Sequence, residues 1–280
     1  MDWKHIELIN GESKLFCNTY ITNKTAMNII CVHTPIITAT ALQQIYEPFI
    51  KYGVNIFSLD FSGTGKSDNG SKKLSRKSFI EDLDFILNYI ESNYSSNIHL
   101  YAPTGIGGMF AQYYATTSTK IKSLAQFNCI NNRKTAGMGY PLSIAKIMYF
   151  FLKLFPNVMI PYKPPKYQGL RHEEDNAFYR EMMAKHPSFK NVGTKFLEIV
   201  LAFFLAKDSV AKDSVKIPTL VYKIPHDRFM TPQFFDDYFQ NLTCKKKIVE
   251  IKDGIHNSYY FDCEIFCKYA YEWFVENSSV

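Results

Sequence analysis

The ten residues from Leu100 to Met109, Leu-Tyr-Ala-Pro-Thr-Gly-Ile-Gly-Gly-Met, constrain the fold of this chain more than any other stretch. An apolar run from Asn97 to Ala102 enters the segment, and an amphipathic run from Met109 to Ala115 leaves it. That pattern predicts a strand, a sharp turn and a helix. Its glycines permit a strained bend and let helix and strand approach closely.

The flanking sequence extends the theme. Residues 5–10 and 14–21 read as two short strands around Gly11, and Met27 to His33 as a strand buried on both faces. Thr38 to Lys51 has helical spacing and ends at Gly53; Asn55 to Asp60 is the next buried strand. Leu74 to Ile90 reads as a helix and Ile121 to Cys129 as a strand. Short buried strands alternating with amphipathic helices predict an α/β fold with a doubly wound, mostly parallel sheet. The alternation stops over residues 131–215, a mainly helical block rich in Phe, Met, Leu and Tyr, with prolines at 156, 161, 164 and 165. It resumes with a strand at Thr219–Ile224, a helix at Pro232–Leu242, a strand at Lys246–Ile251 and a closing helix at Tyr259–Val275. Residues 1–130 and 216–280 therefore read as one core, and 131–215 as a helical cap over the carboxyl edge of its sheet. The pentapeptide Ala-Lys-Asp-Ser-Val occurs twice in tandem, at 206–210 and 211–215. One duplicated unit is too short for a repeat architecture.

Composition excludes several classes of function. A chain of 280 residues, 46 % apolar, has enough material for a sizeable core. The net charge of +6 is spread along the chain without aromatic and basic interleaving, which argues against nucleic acid as a partner. Six cysteines include no Cys-x-x-Cys and fit reduced thiols in a reducing, cytoplasmic compartment. Cys263 and Cys267 share a face of the last predicted helix, but no further ligands at suitable spacing accompany them, so no metal and no cofactor are expected. The N-terminal residues lack an apolar signal core. The most apolar stretch, Leu142 to Pro161, is interrupted by Lys146, Lys153 and Pro156, so stable membrane insertion is not expected. The oligomeric state is left open.

With Gly107-Gly108 as anchor, the turn resembles the nucleophile elbow of the α/β-hydrolase superfamily, small-x-Ser-x-Gly-Gly, and the capped lysophospholipase and monoacylglycerol-lipase-like members in particular. Gly105 then stands at the serine position; counted from the strand, Thr104 does. The resemblance covers residues 25–130 and 215–275. It implies that Asp227, in His-Asp-Arg-Phe-Met-Thr-Pro, is the acid that orients a catalytic histidine. It also implies that His256, in Gly-Ile-His, is that histidine. The chain order of elbow, Asp and His is the one this fold uses. His33-Thr34-Pro35 stands where the family usually reads His-Gly-x, with the third residue's amide as an oxyanion donor. Pro35 has no N–H, which leaves the amide of Ile106, or of Gly105 in the other register, as the second donor. His33 itself reads as a structural histidine bonded to nearby backbone.

Asp60-Phe61-Ser62-Gly63-Thr64-Gly65-Lys66-Ser67 follows a buried strand and has two readings. Gly65-Lys66-Ser67 is the tail of a phosphate-binding P-loop, but that motif needs glycine at position 60. The other reading is the structural Asp-x-x-Gly-x-Gly-x-Ser loop of many α/β-hydrolases.

Four functions follow as alternatives. Thr104 acts as nucleophile beside His256; or His256 serves as general base on water or substrate, with no protein nucleophile, toward a small hydrophobic ester or carbonyl compound; or the protein is a non-catalytic binder of a hydrophobic small molecule; or the P-loop reading holds. In the cap, Met148, Phe150, Phe151, Leu154, Phe155 and Met159, and Phe196, Ile199, Val200, Phe203 and Phe204, have amphipathic spacing. They are expected to pack the cap onto the sheet, or to wall a greasy pocket; the lysines beside an apolar cap helix also fit transient membrane contact.

Overall fold

The computed structural model describes residues 2–68, 74–118, 120–127, 141–163, 166–205 and 215–278. The order of elements along the chain follows the predicted alternation. Strands β1 (Lys4–Asn10) and β2 (Ser13–Tyr20) form a hairpin whose turn places Gly11 at φ 64°. Then come β3 (Asn28–Cys31), β4 (Asn55–Leu59), helix α1 (Arg76–Asn93), β5 (Ile98–Ala102), α2 (Gly105–Ala115) and β6 (Ser123–Phe127). After a further block come β9 (Thr219–Lys223), α6 (Pro232–Asn241), β10 (Lys246–Glu250), α7 (Ser258–Phe261) and α8 (Cys263–Glu276). The block between β6 and β9 holds α3 (Leu142–Leu154), β7 (Met159–Pro161), α4 (His172–Lys185), β8 (Asn191–Gly193) and α5 (Thr194–Leu205). β7 and β8 pair with each other, so the described residues of this block add no strand to the main sheet.

The eight-stranded sheet runs β1-β2-β4-β3-β5-β6-β9-β10. β1 and β2 are antiparallel, as are β2 and β4; every other pair is parallel. The central strands β3, β4, β5 and β6 are buried along their whole length, as strands covered on both faces must be. On one face, Phe79, Leu83 and Ile86 of α1, Phe110 of α2 and Phe203 of α5 pack into one apolar cluster. On the other, Tyr46, Phe49, Phe178, Trp273 and Phe274 form a second. Each fully buried side chain of this size contributes about 1.5–3 kcal/mol.

Four local expectations need correction. Thr38–Lys51 is not a regular helix but two short 3₁₀ turns, Gln43–Ile45 and Glu47–Tyr52, the second closed by Gly53 in the left-handed region at φ 68°. The helix predicted from Leu74 starts at Arg76, because Ser75 and Ser78 form a reciprocal capping box there. The closing helix is broken at Asp262, whose carboxylate is engaged by Arg171 at 2.7 Å. α2 starts at Gly105 rather than Met109. Cys129, the Asp-Asn-Gly-Ser residues after position 68 and all but the last residue of the duplicated pentapeptides lie outside the described residues.

The P-loop reading also fails. The Asp60 carboxylate accepts hydrogen bonds from the amides of Ala39 (2.7 Å) and Lys66 (2.9 Å), so the loop wraps a fixed anion of its own. A Cβ on Gly65 would lie 2.3 Å from Asp60 Oδ2, so only glycine fits there. The Lys66 ammonium lies over the Phe16 ring, 4.6 Å from its centroid. His33 is fully buried, with Nδ1 3.1 Å from the carbonyl oxygen of Thr34.

His99, within β5, makes folding pH-dependent. It stacks on Phe274 and bonds Ser123 Oγ (2.8 Å) and Asn97 Oδ1 (2.9 Å), an arrangement that suits a neutral ring. Burial, with a smaller contribution from Lys122, pushes its pKa down to about 3. The unfolded chain takes up this proton near pH 6.5, so the contribution is full above that value and is lost as pH falls towards 3. We expect His99→Gln to flatten the stability profile between these limits by up to about 1.4 kcal/mol per pH unit, measured by urea unfolding across that range.

Candidate active site

The carboxyl edge of the sheet carries the candidate residues on three loops. β9 leads into the loop holding Asp227 and β10 into the loop holding His256; the strands are parallel neighbours, so both loops emerge side by side. A bridge between His226 and Ile255 fastens them, with the His226 amide donating to the Gly254 carbonyl at 3.1 Å. His256 Nδ1 lies 2.7 Å from Asp227 Oδ2. The other carboxylate oxygen accepts the amides of Phe229 (2.7 Å) and Met230 (2.8 Å). The Asp227 side chain is fully buried, and that of His256 is 14 % exposed. With Nδ1–H donating to the carboxylate, Nε2 is the ring's proton acceptor. Phe229 (centroids 4.6 Å apart) and Phe127 (5.6 Å) meet the imidazole edge to face and hold its plane.

The third loop is the turn between β5 and α2. Thr104 is the extended N-cap residue of α2, and the first intrahelical bond runs from the Gly108 amide to its carbonyl at 2.7 Å. The amides of Gly105, Ile106 and Gly107 thus have no acceptor within the helix, and the positive end of its dipole lies at this turn. α2 comes so close to the end of β3 that a Cβ on Gly107 would sit 2.4 Å from the carbonyl oxygen of Val32. That close approach is what the glycines were expected to allow. The strained bend is absent: the described residues with positive φ are Gly11, Gly53, Gly63, Gly65, Arg171 and Asp253, and neither Thr104 nor Gly105 is among them.

A cavity of about 260 Å³ opens between the three loops and the cap. His256, Gly105, Ile106 and Thr34 lie at its chemical end, and Ile37, Tyr162, Phe178 and Phe189 are among its apolar walls. Thr104 does not line it. That hydroxyl is buried, has no hydrogen-bond partner among the described residues, and lies 2.5 Å from where a Cβ of Gly107 would be, on the side of β3. The geometry therefore stands against Thr104 as the attacking group. Pro35 faces a neighbouring cavity, which shares Ile36 with the first and also holds Thr38, Met159, Phe196 and Ile199.

The cap contributes otherwise than expected. Ile199, Phe203 and Phe204 of α5 are buried, Phe203 against Phe110 with centroids 4.3 Å apart. Phe150, Phe151, Leu154, Phe155 and Met159 instead point to solvent, because α3 leans on the rest of the fold through Ala145, its one buried residue. The cap's share of the His256 cavity wall comes from α4 and the segments flanking it, through Tyr162, Phe178, Tyr179 and Phe189.

α4 also supplies a residue that pattern reading missed. Asp175 is fully buried; its Oδ2 accepts from the Arg228 guanidinium at 2.7 Å and its Oδ1 from Asn257 Nδ2 at 2.7 Å. Arg228 adjoins Asp227 and Asn257 adjoins His256, so one cap carboxylate grips both loops of the dyad. Arg228 further packs over the rings of Tyr179 (5.1 Å) and Tyr167 (5.3 Å). Among the described residues no group of His, Cys, Asp and Glu is arranged to hold a metal ion.

No family model matches this chain, and no curated protein matches it either. Solved structures do. A DcsB structure in complex with its substrate analogue superposes with TM-score 0.78 at 18 % identity, covering 99 % of this chain and 100 % of that one. The Paleococcus ferrophilus monoacylglycerol lipase gives TM-score 0.73 at 18 % identity over 94 % and 99 % of the two chains. A soluble variant of the Saccharomyces cerevisiae monoglyceride lipase, in complex with a substrate analogue, gives 0.68 at 13 % identity over 99 % and 95 %. At these identities the likeness shows the fold alone: this chain has the α/β-hydrolase fold.

Removing the cap's grip has a calculable cost. Asp175→Ala leaves Arg228 buried without its carboxylate, which costs about 3–5 kcal/mol. Replacing both partners together, Asp175→Leu with Arg228→Met, is expected to restore most of that loss, as read from denaturant unfolding midpoints.

Proposed function

We propose that this protein is an enzyme in which His256, oriented by Asp227, acts as general base on a small hydrophobic ester or carbonyl compound, without a covalent intermediate on the protein. The observation that carries the reading is His256, paired with the buried Asp227 carboxylate, on the wall of an aromatic cavity that Gly105 also lines. A base held in one tautomer takes a proton either from water or from the carbon beside the substrate's carbonyl. The uncapped amide of Ile106, at the positive end of α2, is placed to polarise the carbonyl oxygen. The amide of Gly105 is free in the same way, but Pro35 cannot donate and faces the neighbouring cavity, so the donor usual at that place is missing, and loss of one donor typically costs about 10²–10³ in turnover. A site weakened in this way suits proton transfer, or direct attack by activated water, better than acylation of a side chain. The cap is assigned to residues 131–215, and the free thiols of Cys17, Cys31, Cys244, Cys263 and Cys267 support a cytoplasmic location.

A second reading, a pseudoenzyme that binds the same class of ligand, draws support from the same Gly105 and Pro35, since both depart from what hydrolysis through a serine requires.

Short-chain aryl esters and the exchange of protons beside the carbonyl of enolisable ketones are the assays to run. We expect wild type to turn over one of these classes and to resist fluorophosphonate labelling. His256→Ala should lower the rate about 10²–10⁴-fold, and Thr104→Val should leave it unchanged. Labelling that disappears in Thr104→Val would restore threonine as nucleophile. Binding of such compounds without turnover, unaltered by His256→Ala, would favour the pseudoenzyme.

A further inference from the structure

The two edges of the main sheet are built differently. β10 ends it with five residues, the first two of them lysines, which blunt an edge. β1 ends it with seven residues in unbroken register on β2, without proline or bulge, and among the described residues no strand pairs with its outer side. The direction of its backbone groups follows from β2. Phe16, opposite Glu7, donates its amide to Ser67 Oγ (2.8 Å) and accepts the Asp60 amide at its carbonyl (3.0 Å), so both of its groups face away from β1. Lys14, opposite Ile9, likewise exchanges both of its bonds with Asp68, at 3.1 and 2.8 Å. Glu7 and Ile9 thus form non-hydrogen-bonded pairs with β2, and by the period of two so does His5. Their N–H and C=O groups point outwards as a row of free donors and acceptors. The side chains of His5, Glu7 and Ile9 are exposed on one face, Ile9 at 58 %, with His5 held over the Phe16 ring at 5.5 Å. Ile6 and Leu8, on the other face, join the apolar cluster that includes α1.

We propose that a second copy of this chain pairs antiparallel with β1, across a two-fold axis that passes through Ile6 perpendicular to the sheet, so that two sheets become one. Such an axis keeps each face of the strand on its own side, so a residue meets only itself or residues an even number of positions away. Centred on Glu7, the two carboxylates would stand opposite each other. Centred on His5, the two imidazoles would, and Trp3 would meet the partner's Glu7. Like charges directly opposite destabilise a sheet. Centred on Ile6, His5 meets the partner's Glu7 on both sides of the axis, Trp3 meets the partner's Ile9, and the apolar layer continues from Ile6 to the partner's Ile6. Outward-facing backbone groups then face one another, as hydrogen-bonded pairs require. An unrelated strand would have to bring this complement, whereas a second copy carries it on β1 itself.

Sedimentation velocity of the full chain over a concentration series is the test, and we expect a monomer–dimer equilibrium. Glu7→Pro removes an amide that bonds nothing within the monomer's sheet, a position where edge strands accept proline. The dimer loses two hydrogen bonds, one for each copy, and should weaken by about tenfold or more. His5→Glu alone and Glu7→Lys alone should each weaken it by about fivefold or more, because both cross-strand pairs lose their match. Mixed in equal amounts, these two variants should regain wild-type affinity as a heterodimer, in which opposite charges meet again. Circular dichroism checks folding, and the two charge variants, at exposed positions, carry the test independently of the proline variant. A wild-type chain that stays monomeric throughout the series would overturn the proposal. So would single charge variants that remain weak when mixed, or a dimer that Phe150→Asp with Phe151→Asp abolishes while Glu7→Pro leaves it intact, since the interface would then lie on α3.

Discussion

Two buried carboxylates meet at the carboxyl edge of the sheet, and the site depends on how each is satisfied. An unpaired carboxylate in such a position would be costly enough to unfold a domain of ordinary stability. Asp227 is held by two backbone amides and an imidazole, Asp175 by a guanidinium and a side-chain amide. Because Arg228 follows Asp227 and Asn257 follows His256, the two sets interlock. The cap cannot shift on α4 without disturbing the loops that carry the base, and the loops cannot open without exposing the Asp175–Arg228 pair. His256 and the aromatic wall are thus parts of one rigid arrangement, as the proposed general-base role requires.

At the turn Thr104–Gly107, neither Thr104 nor Gly105 adopts a positive φ. A side chain that must project into the cavity from such a turn demands a strained backbone. Here the helix starts smoothly from an extended N-cap residue, and the one close approach, Gly107 against Val32, serves packing. The relaxed turn and the glycine at its tip both agree with the proposal that no side chain attacks from this position. What remains is the helix's positive end, an electrostatic feature that survives the absence of any side chain because it belongs to the backbone.

Much of this was readable in the chain itself. The succession of strands along the chain and the loop positions of Asp227 and His256 followed from apolar runs and punctuation, since central strands buried on both faces leave a signal that is hard to mistake. The Asp60 loop likewise declared itself, because its glycines have a steric reason that shows as a spacing. The boundaries that were missed are set by local side-chain chemistry: the Ser75–Ser78 capping box, the 3₁₀ turns after Thr38 and the break at Asp262, engaged by Arg171. Asp175 was invisible for a different reason. In His-Glu-Glu-Asp it resembles any acidic first turn of a helix, and only the fold brings it to Arg228, fifty-three residues on. Its partners offered a faint signal, since each adjoins a residue singled out for chemistry.

The two cap helices show where pattern alone stops. α3 and α5 are similarly apolar and similarly amphipathic by spacing, yet α5 buries Ile199, Phe203 and Phe204 against α2 while α3 presents most of its large side chains to solvent. Amphipathic spacing says that a helix has an apolar face; it says nothing of what the face meets. They differ also in charge: α5 pairs Lys195 with Glu198, whereas α3 carries Lys146 and Lys153 and no acid to pair with them. What buries α5 is a complementary surface elsewhere in the chain, Phe110 of α2 under Phe203, and spacing within one helix cannot announce it.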